Sequence, residues 1–298
     1  MSLYNVPEAS PSRIVGVFRF LLACPDGKAT RARIEQIMAP ESLTLEDTSD
    51  HSDDAETETS GRGVVQKAIQ EALRLGLVQE VDRKSVAVSE KLDKDYIKQA
   101  DRLLPLAILE LASSPGNGNA DLCRAMAWML AQDVKTAPGT WQAIQGRGEL
   151  VKDLDMNNAR YGQLQHWGAY LGLVWRCGRE RRPASVPDPT THIKLRLKHT
   201  LGGRRREFTA PEFLQKLSQW IPVIDGGIYR AELESQGLLK PLATAHVSSA
   251  LSQALLRLRD EGWIEATHSS DAEVRLLVSE DGDVRVSRIL WIGGAKAV

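Results

Sequence analysis

Three segments of this chain repeat one pattern. Apolar residues recur every three to four positions, then Leu or Glu, glycine and two apolar residues follow. The copies are residues 64–78, ending Leu75-Gly76-Leu77-Val78; residues 163–174, ending Leu171-Gly172-Leu173-Val174; and residues 251–264, ending Glu261-Gly262-Trp263-Ile264. The 3.6-residue spacing predicts a helix in each copy, and the glycine suits a left-handed C-terminal cap. After the first and third copies, residues 79–89 and 265–279 carry short apolar runs around polar turns, the pattern of a hairpin.

Residues 1–91 read as one domain. Ser12 is placed to cap a helix whose apolar positions are Ile14, Val17, Phe18, Leu21 and Leu22. Pro25-Asp26-Gly27 marks a turn. Thr30 caps a short second helix through Ile34, Ile37 and Met38, which Pro40 stops. Residues 41–60 are acidic and rich in Ser and Thr, so they are expected to form a mobile loop. The third helix turns Val64, Val65, Ala68, Ile69, Ala72 and Leu73 inward. Residues 78–81 and 85–88 then pair around Asp82-Arg83-Lys84.

Residues 92–206 read as a mainly helical middle domain with basic loops. Helices are expected over 97–111, with Pro105 a candidate kink, and over 121–131. Asn157 or Asn158 caps a helix carrying Tyr161, Leu164, Trp167, Tyr170 and Leu171. Residues 176–189 are basic and contain proline, which suits a loop or a wing, and 190–201 suits a strand or a helix. Trp128, Trp141, Trp167 and Trp175 are expected to pack in the core or between domains.

Residues 207–298 repeat the first domain. Thr209-Ala-Pro-Glu212 has the form of a capping box, followed by Phe213, Leu214, Leu217 and Trp220. Thr244 is expected to open a helix through Val247, Ala250, Leu251, Ala254, Leu255 and Leu258. A hairpin should pair 265–268 with 273–279, and a final strand should run over 284–291.

Composition adds little until it is resolved by position. Net charge is -1 over 298 residues, so no global attraction to polyanions follows. Residues 41–58 hold eight carboxylates and no Lys or Arg, whereas 160–206 hold eleven Lys and Arg against Glu180 and Asp188. Cys24, Cys123 and Cys177 lack metal or redox spacing and read as reduced thiols, which points to a cytoplasmic protein. No signal peptide is expected, and no apolar run is long enough to span a bilayer.

Catalytic signatures are missing from the sequence. It has no phosphate-binding glycine loop, no GxSxG, no HExxH, and no histidines at metal-ligand spacing. Glu80-Val81-Asp82-Arg83-Lys84 resembles the end of a nuclease site but falls where a hairpin turn is expected. The reading is therefore non-enzymatic, with no cofactor, no metal and no catalytic residue. Nucleic-acid contact is expected from three groups. Polar helix faces offer Arg62 and Lys67 in the first copy, and Thr244, His246, Ser248 and Ser249 in the third. Hairpin turns offer Arg83, Lys84 and Arg275. Basic clusters offer Arg176, Arg179, Arg181 and Arg182, then Arg204, Arg205 and Arg206. The bland alternatives are a solvated helix face, a charged turn, and loops paired with the acidic 41–58 segment, for which an internal DNA mimic is the other reading.

Helix, glycine cap, apolar pair and charged hairpin resemble the last helix and wing of winged helix-turn-helix proteins of bacterial regulation and phage defence. A narrower resemblance is carried by Pro11-Ser12-Arg13-Ile14-Val15-Gly16-Val17, by Trp167-Gly168-Ala169-Tyr170-Leu171-Gly172-Leu173 within 158–173, and by Val186-Pro187-Asp188-Pro189-Thr190. These are similar to the G component (DpdG) family of the bacterial 7-deazaguanine DNA modification and restriction cluster. That resemblance implies an accessory subunit of an anti-phage or DNA-modification system. The expected fold is mainly α with small β-hairpins: two terminal winged-helix domains flanking a helical middle region, with room there for a third, degenerate winged helix. The expected function is DNA binding by an accessory or adaptor protein. Its partners would be double-stranded DNA and other subunits of the same system, without membrane contact; winged-helix proteins often dimerise, which leaves a homodimer open. The alternative is a protein-interaction scaffold that never touches DNA.

Overall fold

In the computed structural model, which describes residues 3–40, 61–145, 153–179 and 182–293, the three repeats end their helices in one way. Gly76, Gly172 and Gly262 take φ of 88°, 71° and 74°. The next amide reaches five residues back: Leu77 donates to Ala72 at 3.1 Å, Leu173 to Gly168 at 2.9 Å, and Trp263 to Leu258 at 2.8 Å. The glycine amide reaches three back, to Leu73 at 3.0 Å, Ala169 at 3.2 Å and Arg259 at 2.9 Å. This paired closure satisfies the last helical carbonyls and turns the chain sharply into a strand.

The chain divides into two units, residues 1–119 and 120–298, whereas the sequence pattern places boundaries at 91/92 and 206/207. The first unit runs α1 (Pro11–Ala23), β1 (Lys28–Thr30), α2 (Arg31–Met38), α3 (Gly61–Leu75), β2 (Val78–Asp82), β3 (Ser85–Val88), α4 (Lys94–Lys98) and α5 (Ala100–Ser113). Ser10, not Ser12, is the residue before α1, and Pro11 takes the first helical position, where a missing N–H costs nothing. Thr30 caps α2 as expected: its side chain accepts from the Arg33 amide at 3.2 Å. The sheet is antiparallel in the order β1-β3-β2. The turn expected at Pro25-Asp26-Gly27 forms, and strand β1, which the pattern did not predict, follows it. It exists because β3 offers it an edge, with Ala29 opposite Val86. Ile14, Val17, Phe18 and Leu21 of α1 meet Ile34, Ala68, Ile69 and Ala72 in one fully buried core. The acidic stretch 41–60 lies outside the described residues.

The second unit runs α6 (Ala120–Leu130), α7 (Gln142–Gln145), α8 (Asn158–Leu171), β4 (Val174–Arg179), β5 (Arg182–Pro187), α9 (Thr190–Leu201), β6 (Arg206–Thr209) and α10 (Ala210–Trp220). It continues through α11 (Ile228–Ser235), α12 (Ser249–Asp260), β7 (Ile264–Thr267), β8 (Arg275–Leu277), β9 (Val284–Val286) and β10 (Arg288–Trp291). Asn157 caps α8 and Thr209 caps α10, as their spacing predicts. Residues 176–189 lie largely in a hairpin, β4 with β5, and 190–201 is a helix. Gly168 lets α8 meet this hairpin closely, since a Cβ there would lie 2.6 Å from Val174 Cγ2.

Several expectations need correction. The helix predicted from Thr244 begins at Ser249. Ala245 has a φ of 104°, and Ser248 provides the cap, accepting from the Leu251 amide at 3.4 Å. The expected pairing of 265–268 with 273–279 does not form. Instead β7 pairs with β10, and β8 pairs with β9. The single strand expected over 284–291 breaks at Ser287, which is buried and donates its amide to the Thr267 carbonyl at 2.9 Å. The basic cluster at 204–206 runs into β6, which pairs with β10 on the side opposite β7. Trp128 and Trp167 are buried as expected, but Trp175 is 58 % exposed. The fold class is therefore mixed α/β rather than mainly α: twelve α-helices and four small antiparallel sheets among the described residues. No helix among them is long and apolar enough to cross a membrane.

Two predictions follow from the helix ends. At Gly262 an added Cβ meets nothing within 4 Å, so Gly262→Ala should cost only the left-handed backbone term, about 1–2 kcal/mol. At Gly172 a Cβ would lie 3.0 Å from Thr191 Cβ, so Gly172→Ala should cost more. Urea unfolding of both variants checks the order; equal or reversed losses would contradict it. The second prediction concerns His192, which is fully buried and closes the end of α8. A carbonyl only accepts, so its Nδ1 donates to the Leu171 carbonyl at 2.7 Å. Burial pushes this imidazole from 6.5 down to about 3. It stays neutral in the fold while the unfolded chain protonates, so stability present above pH 6.5 is lost as pH falls toward 3. The slope should reach about 1.4 kcal/mol per pH unit. Denaturant titrations at pH 7 and 4.5 should show a smaller acid loss for His192→Gln than for the wild type. Equal losses would show that His192 does not carry this dependence.

Candidate nucleic-acid interface

Helix α3 sorts its residues by face. Val65, Ala68, Ile69, Ala72 and Leu75 are buried, and Arg62, Gln66, Gln70 and Arg74 recur at four-residue spacing on the exposed side. That spacing stacks them along one face. The only carboxylate of α3, Glu71, is 3 % exposed. Burial raises its pKa, and Arg74 opposes the shift from 2.9 Å. The outward face of α3 thus holds guanidinium and amide groups and no carboxylate.

Helix α2 extends this face. Ile34 points into the core, leaving Arg33, Gln36 and Ile37 exposed. The Arg33 guanidinium donates to Gln36 Oε1 at 3.1 Å. Thr30, Arg33, Gln36, Ile37 and Arg62 line an open depression of about 820 Å³. The hairpin turn is tied to the same helix, because the Arg31 amide donates to the Lys84 carbonyl at 2.8 Å. Arg83 and Lys84 are exposed at that turn. The hairpin carboxylates are engaged by cations, Glu80 with Arg31 at 2.5 Å and Asp82 with Lys28 at 3.8 Å, while Glu35 of α2 also lines the depression. Asp82 also accepts from the Lys84 amide at 2.8 Å, and this bond leads the lowering of its pKa. The nuclease-like stretch 80–84 is thus strand β2 and its turn.

The other sequence-predicted residues of the first unit and those of the second are placed less uniformly. Lys67 is paired with Glu8 at 2.5 Å, which lowers the Glu8 pKa, and so ties the N-terminal segment to α3. Arg176 is exposed on β4, and its charge adds to burial in lowering the pKa of His166. Arg179 and Arg182 are opposite each other at the end of the β4–β5 hairpin. Their side chains, and Arg181, lie outside the described residues. Arg204 is exposed, Arg205 lies 3.6 Å from Glu265, and the Arg206 guanidinium lies 5.2 Å from the centre of the Phe208 ring.

The polar helix face expected from Thr244 to Ser249 does not form. Thr244 is in an exposed turn, and His246 bridges to Leu276 with its Nε2 3.7 Å from Asp283. Ser248 is buried as the cap, and Ser249 Oγ accepts from the Val134 amide at 3.2 Å. Ser252, one turn on, is fully buried and accepts from the Val278 amide at 2.9 Å. Arg275 is held by Glu273 at 2.6 Å. Among the predicted residues, Arg62 and the Arg83–Lys84 turn are those joined through α2. Arg33 and Gln36 were not singled out from the sequence. Their signal was available: a short capped helix followed by a longer amphipathic one exposes both at the concave side.

Among the described residues, no group of three or more His, Cys, Asp or Glu could hold a metal ion. A family model described as DpdG-like matches residues 1–272. No curated protein and no solved structure matches the chain.

Proposed function

The chain belongs to the DpdG-like family, which suggests involvement in a DNA-modification system, and on that premise we propose that it is a non-enzymatic, DNA-binding accessory subunit. The observation that carries the reading is the outward face of α3, with Arg62, Gln66, Gln70 and Arg74 exposed and Glu71 turned inward. Amide and guanidinium groups at helical spacing suit base edges in a major groove, and guanidinium groups suit phosphates. The order α1-β1-α2-α3-β2-β3, with sheet order β1-β3-β2, supports a winged helix-turn-helix. In that arrangement α3 enters the groove and Arg83 and Lys84 contact phosphates from the wing. Arg176, Arg179 and Arg182 of the second unit's hairpin, together with Arg181 and Arg204, are secondary phosphate contacts in this reading. The protein works in the cytoplasm with double-stranded DNA and other subunits of its system. The acidic 41–60 segment is a competitor for the basic face. A scaffold reading is favoured by one observation, the mixed-charge outer face of α12, where Gln253, Arg257 and Asp260 are exposed.

Fluorescence anisotropy with a labelled random-sequence duplex tests the DNA reading. Binding should weaken steeply with salt, since each phosphate contact contributes a slope of about -0.9 in log K against log salt. Arg33→Ala with Arg62→Ala should weaken binding roughly tenfold or more at moderate salt and lower the slope by about 2. No binding at low salt, or an unchanged slope in this variant, would contradict the proposed interface.

A further inference from the structure

The second unit carries a groove that the DNA reading leaves unused. It encloses about 580 Å³ between the β4–β5 hairpin, the outer face of α12 and the segment after β8. Trp175 stands at its mouth, 58 % exposed, the largest exposed apolar side chain among the described residues. Val186, Leu256 and Val278 supply further apolar lining. The charged lining is Asp188, Asp260, Glu261 and Glu280 against Arg257 alone. The groups this lining offers are carboxylates, which suit a cation rather than a phosphate.

We propose that this groove docks a short segment of a partner protein in which an Arg or Lys lies beside an apolar side chain. Two features select that chemistry. An exposed indole face takes a guanidinium or ammonium group, and aromatic anchors of this kind dominate binding at interfaces. The carboxylates supply the complementary charge. Asp188 is already satisfied by Arg257 at 2.7 Å, and Glu261 by Lys194 at 2.8 Å. Asp260 and Glu280 are the available pair. Their side chains are 66 % and 75 % exposed, and their links to Arg259 at 2.9 Å and Lys135 at 3.2 Å are surface ion pairs. Exposed pairs contribute little and exchange readily for an incoming cation. The apolar lining then takes the neighbouring side chain, and the volume suits a few residues rather than a folded domain. Placed on the unit that lacks the α3 type of face, the groove gives an accessory subunit a second, protein-directed surface. It does not depend on DNA binding by the first unit.

The test uses the full chain and two fluorescein-labelled, end-capped peptides, one alternating Arg with Leu and one alternating Glu with Leu. Anisotropy should show saturable binding of the Arg–Leu peptide and none of the Glu–Leu peptide. Trp175→Ala should weaken the Arg–Leu peptide at least tenfold, and Asp260→Lys with Glu280→Lys should do the same. Because all three side chains are exposed, urea midpoints should stay near wild type. Duplex binding in the same samples should be unchanged by Trp175→Ala, so failure here is distinct from failure of the DNA reading. Equal binding of both peptides, or indifference to Trp175→Ala, would overturn the proposal. So would loss of duplex binding in that variant, which would make the groove part of a nucleic-acid surface. A concentration-dependent dimer that Trp175→Ala abolishes would also overturn it, with a second copy of this chain as occupant.

Discussion

The helix ends at Gly76, Gly172 and Gly262 are the constraint on which both units depend. A helix that must deliver its chain directly into a strand needs a reversal that leaves no buried carbonyl unsatisfied. The left-handed glycine supplies it with two hydrogen bonds, and the following apolar residue is drawn inward. Leu77 and Leu173 are fully buried at this position. With the reversal set, the residues one turn earlier have fixed faces. In α3, Ala72, Ile69, Ala68 and Val65 must point inward, so Arg62, Gln66 and Gln70 must point outward.

One local device therefore carries different surfaces. In the first unit the reversal sends β2 and β3 toward α2, where the Arg31 amide meets the Lys84 carbonyl. The outward positions hold Arg and Gln, and the single carboxylate of α3 is turned into the core. In the second unit the same reversal ends α12, yet the outward positions hold Gln253, Arg257 and Asp260 beside an exposed indole. Serines that would offer polar contacts there are consumed by structure: Ser248 as a cap and Ser252 beneath β8. Geometry repeats and chemistry does not, which is how one chain presents a cationic face on one unit and a carboxylate-lined groove on the other.

The parts legible in the sequence were those set by local chemistry. Thr30, Asn157 and Thr209 cap the helices expected of them, and the three glycines take the conformation their position requires. The DpdG-like resemblance, carried by residues 11–17, 158–173 and 186–190, agrees with the family match over 1–272. What was not legible was non-local. Strands β1 and β6 are only three and four residues long and exist by pairing with β3 and β10. The hairpin expected after Ile264 failed because β10, more than twenty residues on, gives β7 a better partner than the adjacent polar segment. Thr244 looked like a cap, but Ser248 lies nearer the first buried turn, and Asp225 binds its amide at 2.7 Å. Side-chain competition of this kind removed Thr244, His246 and Ser248 from the candidate face; Arg62, Arg83 and Lys84 stay on it, and Arg33 and Gln36 join it without having been marked in the sequence.

Hydrogen–deuterium exchange of the full chain, with and without a saturating DNA duplex, addresses the central claim most directly. If α2 and α3 form the DNA-binding face, peptides covering 31–38, 61–75 and the turn at 83–84 should exchange more slowly with the duplex bound. Slowing confined to residues 120–298, or none in the first unit under saturation, would contradict that assignment.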